Sequence, residues 1–401
     1  MTRRSNILAP TNLRAALTAL RATVRNPGLL LWALYVLLFP VYIFPSGVPQ
    51  PGDLLVIIMT PVIFGGWRGT FDARTRRVVR ALVWFTAYVF ASAIVWSVIS
   101  GAWSLSLKRG FIMTPTFYIY NVVVFVMSLI LYQQHGERFL WLTVKMVIVA
   151  ALMQVAISLL FARGSDRSTV LFNNPNQLGY YAILSASIIL LCQRRLRIST
   201  LEATIGLLAC GYLALLSSSK AALGCVALII AFGIFNRLRT VLITGGISAI
   251  LLTQGGPVAD ALDRAQARIE TDTSYGFFEE RGYDRITAYP EYWVLGSGEG
   301  FYKRFEDTNV IGDHELHSSA GTLFFCYGIF GTVAFAIFGY QVVRGGKFRH
   351  ALMLLPAAAY GMTHQGLRFT LLWMMLAIYV SMKPARKPRP VLVPTSPGLP
   401  P

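Results

Sequence analysis

Four groups of residues in this chain combine cationic or titratable side chains with turn-forming neighbours, and each lies beside a long apolar run. The first is His314-Glu315-Leu316-His317, which closes a polar stretch running from Gly255 to His317. An imidazole titrates near neutrality, so a histidine whose orientation is fixed at a helix start suits a general base for a hydroxyl proton. His317 holds that position, while His314 and Glu315 stand further out; a solvated loop histidine is the bland alternative for either ring. A metal site would need a third ligand at suitable spacing, and none is apparent, so no metal or other cofactor is expected.

The second group is Arg281 and Arg285, followed by Gly296-Ser-Gly298-Glu-Gly300. The planar guanidinium fork of arginine suits a diphosphate. Arg285 is the first choice because it begins the run toward the glycines. Those glycines look like part of a dinucleotide fingerprint, but no strand–turn–helix pattern surrounds them. A tight turn exposing backbone N–H groups is expected instead.

The third group, Ser217-Ser-Ser219-Lys220-Ala-Ala, puts an ammonium between two apolar stretches. There it can snorkel to the interface or meet a phosphate. The fourth is Arg163-Gly-Ser-Asp-Arg167 followed by Phe172-Asn-Asn174-Pro-Asn176-Gln-Leu-Gly179. Asn174-Pro175-Asn176 reads as a turn feeding a helix, with an Asn at the N-cap. The same amides, with Arg167, could bind sugar hydroxyls or phosphate oxygens at a helix start. Arg368 and His364, between the last two apolar runs, are further candidates for substrate contact, although their spacing fits a plain helix end equally well. Together these groups suggest chemistry on an anionic, lipid-linked substrate at a membrane surface.

The elements that must position these groups are membrane helices. The chain is 55% hydrophobic and 13% charged, with a mean hydropathy of +0.56, which sets it apart from ordinary globular composition. A span needs about 20 largely apolar residues. Candidate spans fall near 28–46, 52–67, 78–100, 111–132, 139–162, 176–192, 200–217, 220–236, 239–254, 318–341, 350–364 and 367–382. The expected fold is therefore all-α and polytopic, with about twelve transmembrane helices and one long external loop.

Basic residues should gather in cytoplasmic loops. With the N-terminus inside, 23 of the 36 Lys and Arg residues lie in cytoplasmic segments. This arrangement puts both termini in the cytoplasm and the polar stretch outside. The organisation is then a basic segment 1–27, spans over 28–254, the external loop 255–317, spans over 318–382 and a Pro-rich basic tail 383–401. Leu13, Leu17, Leu20 and Val24 could make residues 1–27 an amphipathic surface helix. Ala261, Leu262, Ala265 and Ile269 give 258–270 a weak helical face, expected to rest on the membrane or cover a cleft. The tail is expected to be disordered.

The net charge of +18 is mainly an orientation signal, with attraction to anionic membrane lipids as a second effect. The basic residues are scattered over many loops, which argues against a nucleic-acid partner. Cys192, Cys210, Cys225 and Cys326 lie in apolar runs without pairing or metal spacing and read as small core residues.

Taken in order, four pieces resemble the O-antigen ligase and polymerase superfamily of bacterial envelope glycosyltransferases. They are Asn173-Asn-Pro-Asn176-Gln-Leu-Gly179, Ser-Ser-Lys220-Ala-Ala, Arg285 leading to Pro290 and Gly296-Ser-Gly298, and His317-Ser-Ser with Gly328-Ile-Phe-Gly331. Arg285 and Gly296 match an Arg-x10-Gly pattern of O-antigen polymerases.

The resemblance implies a glycosyltransferase-C-like, many-helix fold in the bacterial inner membrane, with an outward cavity beneath a periplasmic loop. It also implies metal-independent transfer of a glycan from an undecaprenyl-diphosphate carrier to a hydroxyl acceptor. That acceptor is a second lipid-linked glycan in a polymerase and a lipid A core in a ligase. A polymerase would also have a chain-length regulator as a further partner. By position His317 would match the family's catalytic histidine, and Lys220 and Arg285 its diphosphate-binding cations. The family usually has Arg at the Lys220 position and often Asn where this chain has Ser318. A transporter or flippase of lipid-linked sugars is the reading from another class, though it would place charges within spans or at broken midplane helices.

Overall fold

Helices begin where the sequence supplies a cap. The computed structural model describes residues 25–45, 48–106, 108–161, 168–196, 198–270, 276–305 and 315–382. Asn26 caps α1 (Pro27–Leu38) by accepting from the Leu29 amide at 2.9 Å. Gln50 precedes α2 (Pro51–Gly65), and its amide donates to Asp53 Oδ2 at 2.7 Å. Both helices carry proline in the first turn, where its missing N–H costs nothing. Asp72 starts α3 (Ala73–Ser100) by accepting from Thr75 N at 2.7 Å, and Gly101 ends it in the left-handed conformation.

Next come α4 (Met113–His135), α5 (Glu137–Phe161), α6 (Pro175–Leu196), α7 (Thr200–Leu216), α8 (Lys220–Thr253) and α9 (Pro257–Glu270). The short helices α10 (Phe277–Glu280) and α11 (Asp284–Ala288) follow. The long helix α12 (Ser319–Val343), α13 (Phe348–Ala351), α14 (Leu355–Gly361) and α15 (Thr370–Ser381) complete the order. No strand occurs among the described residues.

Each of the twelve apolar runs contains helix, but many helices are shorter than their runs. Among the described residues, α3, α4, α5, the first part of α6 and α12 are long and apolar enough to cross a membrane. A sixth span appears if Arg237–Thr253 and Pro257–Ala267, bent by 88°, count as one. Proline and backbone breaks explain the shortening. Pro40 and Pro45 follow the early end of α1. A 3-10 turn at Leu352–Leu354, followed by Pro356, divides run 350–364. Runs 220–236 and 239–254 both fall in α8, two helices that meet at a kink with non-helical backbone at Arg237 (φ −152°, ψ 60°).

Polar side chains inside the bundle tie helices together, since apolar contact alone gives little association in lipid. Trp32 Nε1 donates to Thr143 Oγ1 at 2.9 Å, and Thr370 Oγ1 to Asn121 Oδ1 at 2.8 Å. Large apolar side chains such as Trp84, Ile99, Leu160 and Phe235 are exposed on helix surfaces, as expected of helices facing lipid.

The loops meet at two ends. At one, Arg195 bonds Glu137 Oε1 (3.1 Å), the Met382 carbonyl (2.8 Å) and the Tyr132 hydroxyl (2.9 Å), while Arg74 bonds the Arg344 carbonyl. At the other, Asn173 Nδ2 donates to Phe44 O (2.8 Å), Thr114 Oγ1 to Glu299 O (2.7 Å) and the Tyr360 hydroxyl to Asn176 O (2.8 Å). Within the polar stretch, α9 packs on α7 and α8 with Ala261 and Ala265 buried. The expected amphipathic segment before residue 25 and the tail after Met382 lie outside the described residues.

Candidate functional site

The site is assembled by backbone contacts between segments distant in sequence. Ser318 caps the start of α12 by accepting from Gly321 N at 3.0 Å. The Tyr283 hydroxyl lies 2.6 Å from Ser318 Oγ and donates to Met362 O at 2.8 Å. The His317 amide donates to Arg281 O at 3.2 Å, and Arg281 Nη1 donates to Thr363 O at 2.9 Å. Ser319 donates twice to His364 O, from its amide (3.1 Å) and its hydroxyl (2.9 Å). These bonds hold the loop carrying Arg281 against the start of α12 and the turn after α14. The backbone of His317 is thus tied to Arg281 at the start of α12.

A cavity of about 700 Å³ lies at this junction. Its lining includes Arg281, Arg285, His317, Arg368, Asn174 and Asn176, six of the residues singled out from sequence. Lys220 is exposed at the first position of α8 and does not line it. Arg167 and His314 lie outside the described residues. The wall also carries the aromatic side chains Tyr35, Phe39, Tyr42, Phe117, Tyr120 and Phe369, together with amides and the carboxylates of Asp53, Glu279 and Glu315.

The individual groups differ sharply in surroundings. Arg285 is almost fully buried, with its guanidinium 5.9 Å from the Tyr302 ring centre and 5.7 Å from that of Phe305. Burial pulls its pKa below the usual arginine value, and the two ring faces compensate part of the lost hydration. His317 is exposed. His364, in the turn after α14, is edge-on to the Tyr180 and Tyr360 rings. Burial, then the neighbouring His317 and Arg281, brings its imidazole down to about 4, with Glu315 acting the other way. His364 is therefore neutral near pH 7. Asn174 accepts from the Asn176 amide at 2.8 Å at the start of α6, with Pro175 in the first turn. Capping and cavity lining thus coincide in one residue.

The glycine run departs from expectation. Rather than exposing its N–H groups, it docks on a break in α12. A π-helical turn at Thr322–Cys326 and a left-handed Gly328 (φ 61°) release helix carbonyls. Phe325 O then accepts from Ser297 N at 2.9 Å, and Cys326 O from Gly298 N at 2.8 Å. The Gly296 amide donates to Tyr292 O. A Cβ on Gly296 would lie 2.3 Å from Cys326 O, and one on Gly328 would lie 2.3 Å from Val294 O. The run is a backbone joint, and no residue of it lines the cavity.

Arg304 secures this joint. Its guanidinium sits among the rings of Trp96, Phe111, Tyr292 and Phe305 at 4.6–5.9 Å and donates to the Ser297 and Gly298 carbonyls.

Arg368, a candidate for substrate contact or a plain helix end, lines the cavity. It is paired with two carboxylates, Glu299 and Glu315. Glu299 had drawn no attention within the glycine run, and neither Gln365 nor Asp53 stood out from sequence. The only signal for Glu299 is a lone carboxylate among glycines. Among the described residues no cluster of His, Cys, Asp or Glu could hold a metal ion. No protein-family model and no curated protein matches the chain.

Proposed function

We propose that the chain is a polytopic envelope-polysaccharide glycosyltransferase that moves a glycan from an undecaprenyl-diphosphate carrier to a hydroxyl acceptor. The observation that carries this reading is the cavity. One cavity gathers an exposed histidine, two arginines from the same polar stretch, amides from a distant helix start and several aromatic rings. Cations suit the diphosphate, aromatic faces and amides suit sugars, and the histidine suits the proton of the attacking hydroxyl. The motif resemblance points the same way, and the Arg285-x10-Gly296 spacing favours a repeat-unit polymerase over a ligase.

In this reading the acceptor oxygen attacks the anomeric carbon while His317 takes its proton. Negative charge then builds on the departing diphosphate, and Arg281 and Arg285 stabilise it where water is scarce. Lys220 stands outside the cavity wall, so the two arginines carry most of that task.

The membrane arrangement belongs to the same proposal. It has twelve crossings, cytoplasmic termini and the cavity facing the periplasm. The two groups of meeting loops support it, because the segments expected inside share one end and those expected outside share the other.

The test is transfer by the purified chain in lipid nanodiscs from an undecaprenyl-diphosphate glycan, with products separated by gel. His317→Ala should reach normal levels in the membrane yet lose transfer by about two to four orders of magnitude. Chelators should leave transfer unchanged. Near-normal transfer by His317→Ala would remove the base assignment, and a wild-type chain inert with polymerase and ligase acceptors alike would remove the function.

A further inference from the structure

Arg368 bridges a buried carboxylate and a cavity carboxylate. Its Nε donates to Glu299 Oε1 at 2.9 Å, Nη2 pairs with the same oxygen, and Nη1 donates to Glu315 Oε2 at 2.6 Å. The Glu299 side chain has no exposed surface, whereas Glu315 keeps 33% of its own. Glu299 is held from every side. Gln365 Nε2 donates to Oε1 at 2.8 Å, Tyr118 donates to Oε2 at 3.2 Å, and the Tyr327 hydroxyl also bonds Oε2.

The charges of this trio decide what Arg368 can do. Two carboxylates and one guanidinium sum to one negative charge, so the group does not attract a diphosphate. Burial alone would push the Glu315 carboxyl up, but Arg368, then His317 and the Arg368 hydrogen bond, bring it below the usual carboxylate range. Glu315 is therefore an anion, fixed at the cavity wall two positions before His317. Glu315 and His317 line the same cavity, where a fixed anion stabilises positive charge that forms nearby.

We propose that Glu299 is a positioning residue for the transfer reaction: through Arg368 it fixes the Glu315 carboxylate beside His317, so that Glu315 stabilises the imidazolium formed during attack. This rests on the assignment of His317 as base. The acceptor O–H proton passes to a His317 ring nitrogen, and the oxygen's electron pair forms the new bond to the anomeric carbon. The bond from that carbon to the diphosphate oxygen breaks, with its electron pair leaving on the diphosphate. The imidazolium then returns its proton to water. Glu315 holds the positive charge between those events, and Arg368 keeps Glu315 from turning away.

A buried ion-pair network could instead serve only to join the helices, and a double-mutant cycle separates the two roles. Glu299→Gln, Glu315→Gln and the double variant are compared as full chains in nanodiscs. The readouts are kcat, the donor KM and binding of undecaprenyl diphosphate by native mass spectrometry. Glu315→Gln should lower kcat by about ten- to a hundredfold while leaving donor KM and carrier binding within about twofold. Glu299→Gln should lower kcat by about tenfold, and the double variant should be no slower than Glu315→Gln.

Losses that multiply in the double variant, or a fall in carrier binding with Glu315→Gln, would overturn the proposal. Should the Glu299 variants fail to fold, Arg368→Lys carries the test. It keeps the charge but bridges two carboxylates poorly, so kcat should fall at unchanged donor KM, and an unchanged kcat would sink the idea. A wild-type chain that transfers nothing removes the glycosyltransferase reading and this proposal with it. Active wild type with multiplying losses removes this proposal alone.

Discussion

Arg285 and Lys220 show how the same charge differs in use with its surroundings. Lys220 begins a helix at an exposed position, where solvent screens its charge. Arg285 is buried, faces the cavity and rests on two aromatic rings. Removing a charged hydrogen bond costs about 1.5–3 kcal/mol, so Arg285→Ala should weaken use of the lipid-diphosphate donor about tenfold or more. Lys220→Ala should be clearly milder, and Lys220→Arg close to wild type. Donor KM and kcat for the three variants, at matched protein levels, check this. Equal losses for Arg285→Ala and Lys220→Ala would place the diphosphate elsewhere. Residue type and spacing made His317, Arg281, Arg285, Asn174 and Asn176 legible, because each lies beside a helix start or a turn. Arg368 was legible as a cation but not as a paired one, since its two partners lie 69 and 53 positions away. Long-range pairing of this kind leaves no local pattern to read.

The joint between the glycine run and α12 rests on backbone hydrogen bonds between the two segments. Sequence marked the run as a turn, but its docking partner is the broken segment of α12, and an apolar run carries no sign that its helix will break. Period and composition reveal the length of such a run, whereas the π-turn at Thr322–Cys326 depends on which amides come to meet its carbonyls. For the same reason twelve runs were visible while the short helices α1, α14 and α15 were not. Where proline broke the run, as at Pro40 and Pro356, the signal was present and its weight underestimated. The joint makes a stability prediction. At Gly296 and Gly328 an added Cβ meets backbone, which cannot swing aside, and both residues have positive φ. Gly296→Ala and Gly328→Ala should each destabilise the protein by about 2–4 kcal/mol. Gly339→Ala, whose Cβ would meet nothing within 4 Å, should be neutral or stabilising by up to about 1 kcal/mol. Thermal unfolding in detergent gives the order. Gly296→Ala melting with the Gly339→Ala variant would mean that the joint does not bear on stability.

At the scale of the whole molecule, orientation and the site are one question, since the cavity belongs to one end of the bundle. The basic residues favour the end formed by loops 66–74, 133–138, 194–199 and 344–350 as the cytoplasmic one. The contacts of Arg195 with Glu137 and Met382, and of Arg74 with Arg344, bring those loops together. The cavity lies at the opposite end, where Asn173 meets Phe44 and Glu299 meets Thr114. The four cysteines are buried, so an impermeant maleimide should not reach them and single reporters can be placed on the chain as it is. Thr287→Cys, exposed on α11, and Lys347→Cys, exposed before α13, should then label oppositely. A membrane-impermeant maleimide applied to cells with a permeabilised outer membrane should modify Thr287→Cys at once. It should reach Lys347→Cys only after the inner membrane is opened. The reverse pattern would invert the protein and put the cavity in the cytoplasm, where a periplasmic polymerase or ligase could not work. Labelling of both before the inner membrane is opened would mean that an even number of crossings lies between them, and the single span proposed there would have to change.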